Sequence, residues 1–263
     1  MASRLGRHAQ RLSQVRALRT VKGRRAARRF VFEGETLLGE ARAARCPIEE
    51  LYATQAAYDA VPALRELEET GTPTFIVDPA AAASISDLTT PSGIAAIAPF
   101  RLMAVDELVR CGSPLLVLAD VNDPANVGTL LRSAEAFGCP RVVFGSLGLD
   151  PYHPKVVRGS MGAVFRLALA VSDAEAIGRA ASAAGVRLLG LATEGSSLIA
   201  DSWEPPLGLV VGNERHGLGR WADHCDGLVA IPMTGRAESL SAGVAGSIAL
   251  YEAQRAALVK GVV

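Results

Sequence analysis

Six short apolar segments alternate with helical or glycine-rich stretches along the second part of the chain. Their length and composition are typical of buried strands, and they lie at residues 115–119, 141–144, 166–169, 186–191, 207–211 and 228–231. This alternation predicts an α/β fold with a mostly parallel sheet that helices cover on both faces. Ligands of such sheets bind at the carboxyl ends of the strands. We therefore expect the functional residues in the loops that follow these strands.

A second α/β pattern precedes this one, and 263 residues exceed the usual single domain of about 100 to 200. Its helices are expected at 36–45 and 61–69, and its strands at 48–53, 74–77 and 93–99. The chain is thus predicted to consist of a basic N-terminal arm (1–29), a smaller α/β domain (30–100), a linker (101–113) and a larger α/β domain (114–263). The larger domain is expected to end in a long packed helix at 241–258, with apolar residues at Val244, Ile248, Tyr251 and Leu258.

The charge of the chain is unevenly distributed, although its formal net charge is zero. No acidic residue precedes Glu33, whereas ten basic residues do: Arg4, Arg7, Arg11, Arg16, Arg19, Lys22, Arg24, Arg25, Arg28 and Arg29. This leaves 17 basic against 27 acidic residues, a net charge of −10 for the rest of the chain. Such a distribution suggests a polyanionic partner, and we expect the segment to contact RNA. A solvated helix face or an organelle-targeting peptide would be the alternatives.

Membrane, metal and disulfide proteins are disfavoured by the sequence. No apolar run approaches the roughly 20 residues that a membrane span needs, and no secretory signal follows Met1, so we expect a cytoplasmic protein. Cys46, Cys111, Cys139 and Cys225 are widely separated, with no Cys-x-x-Cys pair and no His at metal-ligand spacing. We expect four buried thiols and no bound metal.

The first motif that carries chemistry runs from Asp120 to Arg132, directly after the strand at 115–119. Asn126 is expected to cap the following helix, and Gly128 allows a close approach of the backbone. The segment lacks the Gly-x-Gly-x-x-Gly spacing of a dinucleotide site. Taken alone, it could also be an ordinary capped helix that bears a surface arginine.

Two further motifs follow later strands. In residues 209–218 a strand enters a turn that holds Glu214 between two glycines, with His216 as a weaker candidate for a general base. In residues 231–243 a loop follows the strand, and Ser239 or Ser241 is expected to cap the last helix beside free backbone donors. Each motif is weak alone, but their order and spacing together are specific.

The three segments resemble the three motifs of the SpoU, or TrmH-type, branch of the SPOUT methyltransferases, over about residues 114–255. Residues 30–100 are similar to the small RNA substrate-binding domain that often precedes this catalytic domain, and residues 158–167 resemble the connecting segment of the family. The resemblance implies a deep trefoil knot in the larger domain, which periodicity does not predict. It also implies a homodimer that methylates a ribose 2′-hydroxyl of RNA with S-adenosylmethionine as cofactor, at an active site completed across the interface.

Site residues follow from the resemblance, motif by motif. The catalytic centre would be formed by Asn126, Arg132, Glu214 and Ser239. The S-adenosylmethionine pocket would be formed by Thr193, Gly212, Asn213, Ile231, Met233, Leu240 and Ser241. The chain departs from the family at Ser241, where Asn is typical, and at Gly243, where Ser or Ala is usual.

In this interpretation Arg132 clamps the phosphate and ribose of the target nucleotide, Asn126 and Glu214 hold the hydrogen-bond network, and Ser239 orients the attacking group. We favour a clamp over a general base for Arg132, because a guanidinium is almost never deprotonated in proteins. Ribosomal RNA is the first choice of substrate and transfer RNA the second. Two other classes stay open: an RNA-binding factor that does not methylate, and an enzyme that uses a nucleotide cofactor in an unknotted sheet.

Overall fold

The computed structural model describes residues 2–6, 9–110, 114–199 and 206–259, so the predictions for Arg7 and Cys111 lie outside the described residues. The chain forms two compact units. The N-terminal unit comprises Met1–Phe100 and Tyr152–Phe165, and the C-terminal unit comprises Arg101–Pro151 and Arg166–Val263.

The N-terminal unit is built on a five-stranded mixed sheet. Its strands are β1 (Ser3–Leu5), β2 (Arg29–Glu33), β3 (Glu50–Thr54), β4 (Thr74–Val77) and β5 (Ile94–Pro99), in the order β1-β4-β3-β5-β2. β4 pairs in parallel with β1 and β3, whereas β5 is antiparallel to β2 and β3. Its first helices are α1 (Gln10–Ala17), α2 (Val21–Ala27), α3 (Glu35–Ala43), α4 (Gln55–Ala60), α5 (Pro62–Glu69) and α6 (Pro79–Ile85).

The basic segment at 1–29 is not an arm that precedes this unit, because it contributes β1, α1 and α2 to it. Leu12 and Val15 of α1 are fully buried and pack in one core with Val31 and Tyr52. Among the many charged residues, the apolar residues Leu12, Val15 and Leu18 recur every three positions, which is enough to form one buried helix face. The segment is therefore part of the fold, and its basic residues have fixed positions.

One excursion from the second half of the chain belongs to the N-terminal unit. This excursion, Tyr152–Phe165, contains α9 (Pro154–Gly159) and most of α10 (Ala163–Arg166). It lies within the sequence range that was predicted to form the larger domain. Tyr152 stacks on Phe30 with 4.3 Å between ring centroids, and Phe165 contacts the edge of Phe32 at 5.0 Å. Aromatic packing thus decides the membership of this segment, which a sequence pattern does not reveal.

The C-terminal unit is an α/β domain with a six-stranded sheet, as predicted, and every pairing between its strands is parallel. The strands are β6 (Leu115–Ala119), β7 (Arg141–Gly145), β8 (Ala168–Ser172), β9 (Arg187–Ser197), β10 (Leu207–Gly212) and β11 (Gly227–Ala230), in the order β11-β9-β10-β6-β7-β8. The helices are α7 (Val105–Arg110), α8 (Pro124–Ala136), α11 (Ala174–Ala184) and α12 (Ala242–Val259), with a 3-10 turn at Gly219–His224. The predicted knot concerns the path of the chain rather than the strand order, and it stays a prediction.

The last helix forms where expected but packs on a different face. The predicted apolar stripe of Val244, Ile248, Tyr251 and Leu258 is exposed, with 38 to 57% of each residue accessible. The buried residues are instead Gly243, Gly246, Ala249, Leu250 and Glu252, of which the first three are small. A side chain at Gly246 would meet a methyl of Leu130 at 2.3 Å, so glycine is what lets α12 approach α8 closely.

Cysteine burial follows the prediction at Cys46 and Cys139, but Cys225 is only half-buried. Burial raises the pKa of the Cys139 thiol to about 12 and that of Cys225 to about 11, which keeps both protonated and unreactive at neutral pH. Within the described part of the chain, no helix is both long and apolar enough to cross a membrane.

Candidate active site

A cavity of about 480 Å³ lies in the C-terminal unit, where β10 and β11 end and beside the outer half of β9. Its volume is in the range of small-molecule sites. Six of the seven residues predicted to bind the cofactor line it, namely Thr193, Gly212, Asn213, Ile231, Met233 and Leu240. Two of the four predicted catalytic residues, Glu214 and Ser239, also line it. The structure thus gathers parts of the second and third motifs around one cavity.

A closed turn at the end of β10 shapes one wall of this cavity. The backbone N–H of Asn213 donates to Gly217 O at 2.8 Å, and Gly217 N–H donates back to Asn213 O at 2.9 Å. Asn213 Oδ1 accepts bonds from the backbone N–H groups of Arg215 and His216. A Cβ at Gly212 would lie 2.4 Å from the backbone carbon of Gly217. The turn therefore requires glycine at position 212, and its backbone faces the cavity without a side chain.

Glu214 is joined to the first motif through Asn126. Asn126 Nδ2 donates to Glu214 Oε1 at 2.8 Å, and Asn126 Oδ1 accepts the backbone N–H of Gly243 at 3.2 Å. One buried amide thus connects all three motifs. The prediction that Asn126 caps α8 was wrong: Asp123 is the cap, and Pro124 occupies the first helical position. Proline is favoured there because its missing N–H would be unsatisfied in any case.

Gly243 explains how this connection fits. A Cβ at this position would meet Asn126 Oδ1 at 2.8 Å and Asn126 Cα at 3.2 Å. The side chain that is usual in the family would therefore displace the Asn126 amide in this chain. The departure at Gly243 is compatible with an intact site, since it makes room for the hydrogen bond at its own N–H.

Asp120 holds the turn by a hydrogen bond with Asn213, a role that the sequence analysis did not predict. It adopts a left-handed backbone with φ of 53°, which is uncommon outside glycine, and its carbonyl accepts from Asn213 Nδ2 at 2.9 Å. Its carboxylate accepts the N–H of Leu147 at 3.1 Å and the indole N–H of Trp221 at 2.8 Å. The sequence feature that could have indicated this role is the position of Asp120, an acidic residue directly after strand β6.

Three predicted residues do not line the cavity: Asn126, which bonds to Glu214 beside it, and Ser241 and Arg132, which lie elsewhere. Ser241 Oγ accepts the N–H of Val244 at 3.3 Å, so Ser241 is the serine that caps α12. Arg132 lies on α8 and is exposed, six residues beyond Asn126 and on a different side of the helix. Within one chain the structure therefore does not bring Arg132 to the cavity. His216 is also exposed, and only its backbone N–H bonds to the turn.

The chemistry of the lining suits a ligand with a flat apolar part and polar edges. Leu191, Val211 and Leu218 supply apolar walls, while the turn supplies backbone groups and one carboxylate. Gly212 lets the turn close against the end of β10, because a Cβ there would overlap the backbone of Gly217. A nucleoside portion with its ring edges and hydroxyls has these properties. In the described ranges no three His, Cys, Asp or Glu side chains are placed to hold a metal ion.

Comparison with known proteins adds independent information. Residues 113–251 match the SpoU rRNA Methylase family, and residues 9–96 match the MRM3-like substrate binding domain. The chain is 40% identical to the 23S rRNA (guanosine-2′-O-)-methyltransferase RlmB of Xanthomonas axonopodis pv. citri over 173 residues, which cover 62% of this chain and 70% of that protein. It is 28% identical to the 23S rRNA (guanosine(2553)-2′-O)-methyltransferase RlmP of Bacillus subtilis over 244 residues, which cover 92% and 95%.

Solved structures resemble the whole chain. The AdoMet-bound rRNA methyltransferase from Sinorhizobium meliloti superimposes with a TM-score of 0.86 at 27% identity, over 97% of this chain and 98% of that one. The SpoU methyltransferase AviRb from Streptomyces viridochromogenes, in complex with AdoMet, gives a TM-score of 0.84 at 27% identity, over 95% and 99%. The similarity therefore extends across both units.

Proposed function

Because this chain belongs to the SpoU rRNA methylase family, we propose that it transfers a methyl group from S-adenosylmethionine to a ribose 2′-hydroxyl of 23S rRNA. The observation that carries the proposal is the hydrogen-bond path from Glu214 through Asn126 to Gly243, which connects the three motifs beside a cavity of suitable size. In a bacterial cell this reaction would take place in the cytoplasm.

The cavity fits S-adenosylmethionine by its volume, its apolar walls and the backbone and carboxylate groups of the turn at residues 212–217. We assign the binding of the adenosine part to the six lining residues Thr193, Gly212, Asn213, Ile231, Met233 and Leu240. When bound, this cofactor supplies a methyl group on a positively charged sulfur. The protein then has mainly to position the ribose hydroxyl and exclude water.

Glu214 and Asn126 hold their shared hydrogen bond next to the cavity, so we assign to them the orientation of the groups that enter it. Ser239 is exposed at the rim, where its hydroxyl can orient the attacking ribose. Arg132 acts as a clamp on the phosphate and ribose, because its planar guanidinium binds phosphate through two parallel hydrogen bonds. The guanidinium does not accept the proton, which leaves to RNA or to water.

A homodimer gives Arg132 access to a cavity. Arg132 is exposed on α8, and the apolar side chains of Val244, Ile248 and Tyr251 are exposed on the neighbouring helix α12. Such a stripe is what a second copy of the chain would cover. We assign this face to the dimer interface, and Arg132 to the active site of the partner subunit.

The first experiment is a calorimetric titration of the protein with S-adenosylmethionine, followed by transfer of labelled methyl to deproteinised 23S rRNA. We expect binding, and label in nucleotides that resist alkali, because a 2′-O-methyl group blocks cleavage at its phosphodiester. Glu214→Gln should abolish transfer, whereas the exposed control Glu175→Gln should not. RNA retention without cofactor binding would replace the proposal with a non-catalytic RNA-binding role.

Mixed dimers test the shared site. Subunits with Arg132→Ala and subunits with Glu214→Gln are co-purified through different tags, and each is inactive alone. If Arg132 serves the partner's cavity, the mixed dimer contains one intact site and regains about half of the wild-type activity per dimer. If every site lies within one chain, the mixed dimer is as inactive as its parents, and the interface assignment fails.

A further inference from the structure

The basic residues of the N-terminal segment fall into two groups in the structure. In the first group the side chain is engaged within the N-terminal unit. Arg24 is fully buried and donates to the carbonyls of Leu18 and Arg19, closing the end of α1. Ion pairs or hydrogen bonds hold the others, with Arg11 on Glu50, Arg16 on Ser84, Arg19 on Asp87 and Arg29 on both Glu49 and Glu50. The side chains of these arginines are already engaged within the N-terminal unit.

Lys22, Arg25 and Arg28 form the second group. All three are exposed on α2 or at its end, and their side chains have neither an ion pair nor a hydrogen bond among the described residues. Lys22 and Arg25 lie one turn apart on the same side of α2, and Arg28 follows the helix at its C-terminal end. We call Lys22, Arg25 and Arg28 the α2 patch.

The charges of the α2 patch suit its helix only in part. The helix dipole favours Arg25 and Arg28 at the C-terminal end, but it disfavours Lys22 in the first turn, and like charges three residues apart repel one another. Arg28 occupies the left-handed position after the helix, with φ of 53°, where glycine is the common residue. Neither packing nor capping accounts for these three side chains.

A binding role accounts for them. On the basis of the proposed function, we propose that Lys22, Arg25 and Arg28 form the site through which the N-terminal unit binds phosphates of the rRNA substrate. Three unpaired cations along one helix and at its end can contact neighbouring phosphates, and contacts of this kind fix the register of a protein on RNA without reading its sequence. Of the nine basic residues of the segment that the structure describes, three are thus assigned to the RNA.

The test compares two triple variants with the wild type by titration of deproteinised 23S rRNA at several salt concentrations. In the first, Lys22, Arg25 and Arg28 are replaced by Gln. In the matched control, the exposed Arg45, Arg65 and Arg179 are replaced by Gln, which removes the same charge elsewhere. We expect the first variant to lose affinity about 10- to 100-fold, and its slope of log affinity against log salt to become shallower by about 2 to 3. The control should follow the wild type.

Arg28→Gly separates binding from stability. Glycine relieves the left-handed backbone, so the melting temperature should stay equal or rise while the affinity for 23S rRNA falls several-fold. A fold defect would lower both quantities.

The proposal is overturned if the first triple variant keeps the wild-type affinity and salt slope, or if the control loses as much. Both results leave the proposed function intact, since the wild type still binds S-adenosylmethionine and methylates 23S rRNA. If the wild type itself neither retains nor methylates 23S rRNA, the proposed function and the α2 patch fail together.

Discussion

In the N-terminal unit two arginines converge on one buried carboxylate, whereas in the candidate site of the C-terminal unit a single amide and close backbone contacts connect the motifs, with Glu214 and Asp120 as acceptors. In the N-terminal unit, Glu50 at the start of the central strand β3 accepts bonds from Arg11, Arg29 and Tyr52. In the C-terminal unit, a single amide, Asn126, connects three motifs, and glycine permits the closest approaches. The first arrangement depends on pH and tolerates small displacements, while the second depends on shape and tolerates few.

The strongest test of this contrast is Gly212→Ala. A methyl group would overlap the backbone of Gly217, so the turn that carries Asn213 and Glu214 must open. We expect affinity for S-adenosylmethionine to fall by about 100-fold or more, which is about 2.7 kcal/mol. Gly227→Ala in β11 is the control, because its methyl would meet only a Leu189 methyl at 3.5 Å, an ordinary contact. Equal cofactor affinity of both variants in calorimetry would show that the turn is not a rigid wall.

The second test asks whether the planar shape of the Arg132 guanidinium matters in addition to its charge. Arg132→Lys keeps the charge but loses the planar fork, so turnover with 23S rRNA should fall by about 100-fold. S-adenosylmethionine affinity should not change, because Arg132 does not line the cavity of its own chain. The matched control is Arg179→Lys, also exposed on a helix of the same unit. Near-wild-type turnover of Arg132→Lys would remove the clamp.

A third test concerns Asp120, whose carbonyl accepts a hydrogen bond from the side chain of Asn213 in the turn. Asp120→Asn replaces one acceptor oxygen with a donor that faces either Leu147 N–H or the Trp221 indole. We expect a loss of about 1 to 3 kcal/mol, seen as a melting temperature of the C-terminal unit that falls by about 3 to 6 °C. Trp221→Phe removes the matching donor and should show a smaller loss. If cofactor affinity is unchanged in Asp120→Asn, the residue stabilises the unit without positioning the turn.

Sequence reasoning succeeded where the pattern is local. The strands at 74–77 and 115–119 have the predicted bounds, because each is a short apolar run between clear breaks. The α/β class and the SpoU family are confirmed by the parallel sheet and the family match. Thr193, Gly212 and Met233 line one cavity because the carboxyl ends of parallel strands share one edge of the sheet.

It failed where the contact partner is distant in the sequence. The outer half of β9 is polar and exposed, and it is a strand only because it pairs with β11 after a register shift. The bond between Asn126 and Gly243 joins residues 117 positions apart. Likewise, the exposed stripe on α12 has a helical spacing that looks like a core face, because periodicity shows that a face is apolar without showing what covers it.

The smallest expected effect comes from the charged framework of the N-terminal unit, and pH reveals it. Burial raises the pKa of the Glu50 carboxyl, but hydrogen bonds from Tyr52, Arg29 and Arg11 outweigh burial, so the pKa lies below its ordinary value. A carboxyl with a lowered pKa stabilises the folded state above its unfolded pKa of about 4.3 and loses this contribution as pH falls through the folded pKa. Glu50→Gln should therefore lower the free energy of unfolding by about 1 to 2 kcal/mol at pH 7 and by less below about pH 4, because protonation removes the same charge from the wild type.

Glu66→Gln is the control for this measurement, since Glu66 pairs with Arg42 at the surface, where both side chains are more than one third exposed. Exposed pairs contribute roughly 0 to 1 kcal/mol, so its unfolding curve should follow the wild type at every pH. Denaturant titrations at neutral and acidic pH, monitored by hydrogen exchange in the N-terminal unit, distinguish the two variants. If Glu50→Gln and Glu66→Gln lower the free energy of unfolding equally, burial adds nothing to the Glu50 network. The ion pairs of the N-terminal unit then contribute no more than ordinary surface pairs.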